Sequence, residues 1–396
     1  MTALAGVRRK RTAIMLTANL IALVSIVGLG IVGVKALERY RGATILSVHS
    51  IKMPVTPIAM LATVDDANQL TSITTFVLKA GTQLGGSVIA LPVSTDSTGG
   101  IGDERIPMTE VYASGGAEAL VQAVESSLLI SFDVTLVADA AQTETLLQSV
   151  GPLTAQLPDD VQGTSSGRTV TLFKKGETPL TAKEAAALLT ASATDVRDSA
   201  RRGGIDALWT AVVAAVGEGR TQAAADAPIS TLPEFLTRMF AGPIEFRGMQ
   251  VATIPADDNP AGKDVESLDR ADAIMVYGSI APAKVSSPSA GLTFRIEAPP
   301  GSEVKVRAAI KAVLYLGGNV QSVDFNGAAH DTTRLLIDDP RLDEQATSAN
   351  ALFGNVEILR PDEAIEGIDV ILQLGNEYLN APEDTLPATT TTTETG

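Results

Sequence analysis

The sequence predicts an α/β sheet flanked by helices, a small α+β domain behind it, and one transmembrane helix in front of both. Three observations carry this expectation. Residues 12–34 form an uncharged apolar stretch long enough to cross a bilayer. Downstream, short β-branched runs alternate with helical periodicities, the pattern of a sheet covered by helices. A Ser/Pro/Gly-rich stretch at residues 284–291 then precedes a block with its own strand and helix rhythm.

The apolar stretch Thr12–Val34 contains no charged residue. As a helix rising ~1.5 Å per residue it covers the ~30 Å hydrocarbon core of a bilayer. The segment before it, residues 1–11, carries Arg8-Arg9-Lys10-Arg11, which predicts a cytoplasmic N-terminus. Lys35, Arg39 and Arg41 weaken that asymmetry without reversing it. The stretch is longer than the ~7–15 residues of a signal-peptide core, and no Ala-x-Ala cleavage site follows it. The expectation is a single-pass protein of the cytoplasmic membrane, held there through Thr12–Val34, with its bulk extracytoplasmic.

Composition narrows the chemistry. The 396 residues carry a formal charge of -16, so a phosphate-backbone partner is not expected; nucleic-acid sites need clustered Lys and Arg. There are no cysteines, which excludes thiolate catalysis, disulfides and Cys-ligated metal. His49 and His330 lie far apart and lack metal-ligand spacing, so neither a zinc site nor a resident cofactor is expected. With 45% hydrophobic but only 4% aromatic residues, the cores must be built from aliphatic side chains.

The first soluble block spans residues 43–283. Strands are expected at Thr44–Val48, Ile58–Ala62, Ile73–Lys79, Gly86–Leu91, Val134–Ala138 and Thr169–Phe173. Helices are expected at Ala117–Ser127, Ala140–Val150, Ala182–Leu189 and Ile205–Val216, with Pro107–Gly116 read as a break and Ala273–Gly278 as a late strand. After the linker at 284–291, residues 292–380 read as strand Leu292–Glu297, helix Glu303–Leu316, and strands Asn319–Asp324 and Thr333–Ile337. Helix Leu342–Phe353 and strands Val356–Leu359 and Asp369–Leu374 complete the block. The tail, residues 381–396 with Thr389–Thr393, has too few apolar residues to bury a core and is expected to be disordered.

The order of anchor, α/β block and small α+β module resembles the LytR-CpsA-Psr family with its LytR C-terminal domain. The closest stretch is 105–157, in which Tyr112, Gly115-Gly116 and Gly151-Pro152-Leu153 match the family pattern. The resemblance implies a membrane-anchored transferase that moves a polymer from a polyprenyl-pyrophosphate carrier onto peptidoglycan with a divalent metal ion. In the C-terminal module, however, the usual Asn-Gly-Ser-Gly turn is replaced by Glu297-Ala298-Pro299-Pro300-Gly301.

Such chemistry needs guanidinium groups on the diphosphate and carboxylates on the metal. The family's Arg-Ser-Asp-Thr motif aligns with Thr71-Ser72-Ile73-Thr74, so Ile73 stands where the Asp would be. Its Pro-Arg-Asp motif aligns with Pro92-Val93-Ser94, and Val93 and Ser94 replace both charges. Its Tyr-Val-Arg-Ser-Arg helix end aligns with Leu188-Leu189-Thr190-Ala191-Ser192, where Thr190 and Ser192 replace two arginines. In the run Asp198–Ile205 one Asp and one Arg persist, and the second Arg falls on Gly204. One lost donor at such a site costs about 10²–10³ in rate, so the accumulated losses remove transfer.

Two readings follow. The first is a non-catalytic scaffold that binds a polyprenyl lipid, envelope-assembly proteins or an active paralogue in wall glycopolymer assembly. The second is a residually active transferase that uses Mg²⁺ and a rearranged acid set drawn from Asp65, Asp66, Asp96, Asp103 and Glu104. A weaker third option is a sensor whose C-terminal module binds a wall component. Arg197, Arg201 and Arg202 form the densest basic cluster outside the anchor and are the candidate residual anion site, or else the solvated start of a helix. Gly99-Gly100-Ile101-Gly102 lacks the Lys-Ser/Thr of a phosphate loop, and the acids around Asp257-Asp258-Asn259 lack EF-hand spacing.

Overall fold

The computed structural model describes residues 50–101, 104–346 and 349–382. The expected membrane span 12–34, its basic flank, the strand at Thr44–Val48 and the tail beyond residue 382 lie outside the described residues. Among the described residues no helix is long and apolar enough to cross a membrane. The elements below all belong to one compact unit, residues 51–361 and 365 onward.

Strands β1 (Ile58–Val64), β2 (Leu70–Leu78) and β3 (Gly86–Leu91) form an antiparallel meander. Helix α1 (Met108–Leu128) carries the chain to β4 (Val134–Ala138), which lies parallel to β1. Next come α2 (Ala140–Leu147), β5 (Leu153–Leu157), the β6 (Val161–Ser165) and β7 (Arg168–Phe173) hairpin, and β8 (Gly176–Leu180), which pairs with β5. Helices α3 (Ala182–Leu189), α4 (Arg202–Val216) and α5 (Leu232–Met239) lead into β9 (Ile244–Gly248), parallel to β3. The sheet order is β9-β3-β2-β1-β4.

All residues of β1, β2 and β3 are buried, because helices cover both faces of the sheet. Side chains alternate between the two cores. Ala59, Leu61, Phe76 and Leu78 meet α2 to α5 on one face, whereas Ile58, Met60, Ile73 and Val77 meet α1 on the other. Trp209 of α4 is fully buried, donates from Nε1 to Thr74 Oγ1 at 3.0 Å, and sits edge-on to Phe76 with centroids 5.4 Å apart. Gly86 is fixed by proximity, since an added Cβ would lie 2.0 Å from the Val77 carbonyl oxygen.

Helix α1 corrects the break expected at Pro107–Gly116. Met108 and Tyr112, one turn apart, are both buried, and the disruption is confined to Gly116 (φ 68°, ψ −158°). The expected helix Ala140–Val150 keeps its α-helical form only to Leu147 and ends in one 3₁₀ turn, Gln148–Val150. A two-strand ribbon, β10 (Val251–Thr253) with β11 (Glu266–Leu268), leads to α6 (Arg270–Ile280).

Helix α6 overturns the late strand expected at Ala273–Gly278. Asp269 caps it, accepting from the Ala271 and Asp272 N–H groups at 3.0 and 3.3 Å. Every residue from Ala271 to Gly278 is buried. Ala273, Val276 and Tyr277 enter the second core of the large sheet, while Ala271, Ile274 and Met275 enter the core of the C-terminal sheet. From Ala273 to Gly278 the helix is clamped on two sides and apolar all round, so it has no 3.6-residue stripe and that run reads as a strand.

The C-terminal part contains β12 (Thr293–Glu297), α7 (Glu303–Tyr315), β13 (Asn319–Asp324) and β14 (Thr333–Ile337). It continues through the one-turn helices α8 (Asp343–Ala346) and α9 (Asn350–Phe353), β15 (Val356–Leu359), β16 (Val370–Gln373) and α10 (Asn376–Leu379). The sheet order is β13-β12-β16-β14-β15. The helix expected over Leu342–Phe353 is thus two short helices. Residues 284–291 are held by hydrogen bonds: Ser286 N–H donates to Leu129 O at 2.7 Å, and the buried Asn319 amide donates to Ser289 O and Gly291 O at 3.0 and 3.1 Å.

Candidate functional site

A cleft of about 970 Å³ opens beside the end of β1. It is bordered by the 65–69 turn, the first half of α1, the β6–β7 hairpin, the chain leaving α3, and the segment from Val196 to Arg201. The 65–69 turn is organised by Asp65, whose Oδ1 accepts from the N–H groups of Ala67 and Gln69 at 2.9 and 2.8 Å. Its other oxygen accepts from the Ser192 hydroxyl, tying the turn to the end of α3. Thr164 in the hairpin donates to Ser192 O at 3.1 Å, and Tyr112 donates to Asn68 Oδ1 at 3.0 Å. The walls are therefore joined by side-chain bonds that span from 28 to 127 residues of sequence.

Most charges around the cleft are already engaged. Arg201 donates to Asp198 and, through Nη1, to Ala191 O at 3.1 Å. Asp264 accepts from Ser199 N–H and Oγ at 2.9 and 2.7 Å. Lys263 bridges Glu110 at 2.8 Å and Glu104 at 3.2 Å, and the bond to Glu110 foremost pushes its ammonium pKa up. Arg197 is exposed and its guanidinium has no partner among the described residues.

The residues singled out from sequence separate into two groups. Thr190, Ser192, Arg197 and Arg201 line the cleft. Arg202 faces elsewhere, donating to Met249 O at 3.0 Å and lying 3.8 Å from Asp206, whose carboxyl pKa is pushed up by burial against the pull of Arg202. Ile73 is 1% exposed and points into the apolar layer under α1. Val93 joins the same layer, and Ser94 is fully buried with its hydroxyl donating to Glu266 Oε2 at 2.5 Å. Gly204 packs beside Val161 and Leu188. The three basic residues do not converge, and the aligned positions of the three motifs do not face one space.

Between the motifs lies a feature the sequence reading missed. Thr63 Oγ1 contacts Thr71 Oγ1 at 2.8 Å, Ser72 Oγ at 2.7 Å and Leu189 O at 3.0 Å, while Thr71 donates to Thr63 O at 2.9 Å. Thr63 gives its proton to Leu189 O, Thr71 to Thr63 O and Ser72 to Thr63 Oγ1, so none of the three is left for an outside acceptor. All three residues are at most 1% exposed. The one signal in the sequence is the density of Ser and Thr in a strand that is otherwise apolar.

The divalent metal implied by the resemblance finds no fitting donor set. Ile73 offers no ligand atom and Ser94 is bonded to Glu266. Among the candidate acids, Asp65 is engaged by three donors, and Asp96 is buried and accepts from Thr98, Gly100 and Ile106. Glu104 pairs with Lys263, and Asp103 lies outside the described residues. Among the described residues no three metal-ligating side chains converge.

No family model and no curated protein matches the chain. Solved structures do resemble it. The crystal structure of B. subtilis TagV has a TM-score of 0.38 at 16% identity, covering 56% of this chain and 94% of that one. TagT bound to LI-WTA has a TM-score of 0.37 at 16% identity, covering 55% and 87%. The LytR-CPS2A-psr family protein YwtF (TagT) with bound octaprenyl pyrophosphate lipid has a TM-score of 0.34 at 15% identity, covering 55% and 86%.

Proposed function

We propose that this chain is a membrane-anchored, extracytoplasmic cell-envelope protein that binds rather than transfers: a non-catalytic LytR-CpsA-Psr-like scaffold in wall glycopolymer assembly. The observation that carries this is the filling of the motif positions. Where transfer of a diphosphate-linked polymer needs carboxylates and guanidinium groups, the chain has an apolar side chain in a packed core and a hydroxyl network with no spare proton. The cleft remains as a binding space beside that closed region. The anchor and the outward topology rest on the uncharged run Thr12–Val34 and its basic flank.

The test is a transfer assay in Mg²⁺, with a polyprenyl-pyrophosphate-linked glycopolymer as donor and peptidoglycan as acceptor, run beside a pull-down of the polyprenyl lipid. Retention of lipid without turnover is the expected result. Turnover that disappears in Arg201→Ala would overturn the proposal and establish a residually active transferase.

A further inference from the structure

One end of the large sheet meets the cleft at the 65–69 turn. At the opposite end the chain enters β1 through residues 51–57, and the N–H of Leu78, the last residue of β2, donates to Pro57 O at 3.1 Å. The 79–85 turn and the ends of α4 and α5 gather there: Gly86 N–H donates to Pro243 O at 3.3 Å, and Arg220 N–H to Phe240 O at 2.6 Å. A second cleft, of about 370 Å³, opens between the turn and the start of β9, bordered by Lys79, Ala80, Gln83, Ser87 and Pro243.

The two ends differ in charge. Around the first cleft Lys263 offsets Glu110 and Arg201 offsets Asp198, which leaves Asp65, Asp66 and Asp264 against Arg197 alone. At the opposite end the unengaged groups are cations. Arg238 is 9% exposed; it donates to Gly81 O at 3.1 Å, its Nε has no acceptor, and it makes no ion pair among the described residues. A guanidinium buried without a carboxylate beside it projects its field through the turn that covers it. Lys79 and Arg220 make no ion pair among the described residues either. Against these three stand Glu218 and Glu245, and Glu245 already accepts from Ser87 Oγ at 2.8 Å and lies 3.5 Å from Arg247. Beside them the charges balance, Lys284 on Asp133 and Lys52 by Glu366, whose N–H donates to Ile51 O at 3.0 Å. Val55, on the entering chain, is 71% exposed.

The anchor expected at Thr12–Val34 is separated from the first described residue by residues 35–49, a stretch that reaches at most about 50 Å. That reach admits either end of a sheet whose longest strand spans about 30 Å, so charge selects between them. We infer that the end carrying the 79–85 turn rests on the anionic phospholipid surface of the membrane that holds the anchor, with Lys79 and Arg220 meeting headgroup phosphates. This rests on the anchored, outward reading above and adds the face that the chain turns to the bilayer.

The chain has no cysteine, so one introduced thiol labels one position. The full chain is reconstituted in phosphatidylcholine vesicles with or without phosphatidylglycerol, with a fluorophore on Thr82→Cys in the 79–85 turn or on Ala67→Cys at the opposite end of β2, both exposed. Quenching by a lipid spin-labelled on its headgroup reads distance from the surface. A cation near an anionic surface is worth about fivefold, so Lys79 and Arg220 together should favour this end about tenfold or more. With phosphatidylglycerol, quenching should be strong at Thr82→Cys and weak at Ala67→Cys, and molar salt should remove the contrast. Adding Lys79→Gln and Arg220→Gln, which leaves the buried Arg238 in place, should remove it too, whereas Lys79→Arg should keep it. Equal quenching at the two positions, indifference to phosphatidylglycerol, or a full contrast in the double Gln variant overturns the inference. Resistance to alkaline carbonate extraction, read on the same vesicles, decides the anchor separately: a chain that is stripped off overturns the anchored reading, while the quenching contrast alone decides the face.

Discussion

Replacing Ile73 by Asp writes back the carboxylate that the resemblance expects at that position, and the structure says what should happen. Ile73 is 1% exposed and packs in the layer formed by β1, β2, α1 and α6. Losing its buried side chain costs about 1.5–3 kcal/mol of apolar burial. The introduced carboxyl has no donor in that layer; it will neutralise rather than stay ionised, and a buried, unbonded polar group costs about 1–3 kcal/mol more. The total, roughly 2.5–6 kcal/mol, is a large part of the ~5–15 kcal/mol that holds a typical domain folded. Thermal unfolding followed by circular dichroism should show a marked fall in Tm. The loss should be smaller at acid pH, because a carboxyl whose folded pKa is raised contributes stability below its unfolded pKa and loses it as pH rises. Mg²⁺ should not restore the Tm. A variant as stable as the parent, or one that Mg²⁺ stabilises, would refute the assignment of this position to a closed apolar layer. Ile73→Val, at about 0.5–1.5 kcal/mol, is the packing control.

Three further outcomes follow from the same geometry. Thr63→Val keeps the volume but leaves Leu189 O without its donor, and should cost about 1–3 kcal/mol in chemical denaturation. Gly86→Ala drives a Cβ to 2.0 Å from the Val77 carbonyl; since two paired strands must part to admit it, the expected loss exceeds ~2 kcal/mol, and a neutral effect in thermal melts would refute that close approach. Asp339, hydrogen-bonded by Arg341, has its carboxyl held down at about 2. Its folded pKa lies below the ordinary value, so its contribution is present at neutral pH and is lost as pH falls toward 2. A carboxyl-detected NMR titration should show this low value and its return toward the ordinary range in Arg341→Ala.

Much of the fold was legible because its signals are local. The runs at Ile58–Val64, Gly86–Leu91 and Val134–Ala138 are rich in apolar, β-branched residues and bounded by turn formers, and each is a strand. Thr181 with Glu184 forms a capping box at the start of α3, where the helix was expected. The same Thr-x-x-Glu spacing at Thr231 and Glu234 begins α5, so that helix could have been found from its cap although it is only eight residues long. In the candidate site, the resemblance marked Thr190 and Ser192 and the density of basic residues marked Arg197 and Arg201, and all four share one cleft. Neither could show that Arg202 turns to Met249, or that Ile73 and Val93 face another layer, because side-chain direction follows from the pairing of strands and the covering of sheets.

By itself the sequence determined the alternation of strands and helices, the acidic balance and the lack of thiol chemistry. Each of these depends on residue identity or on neighbours within a few positions. Only the tertiary structure decided that α6 is a helix, since its burial comes from two sheets at once and erases any stripe in its sequence. Only there, too, does Thr63 meet a carbonyl 126 residues away, closing a hydroxyl network beside a cleft whose walls come from segments far apart in sequence. Contacts of that range leave no periodic trace along the chain, and they are what brings distant segments together into a site with a definite lining.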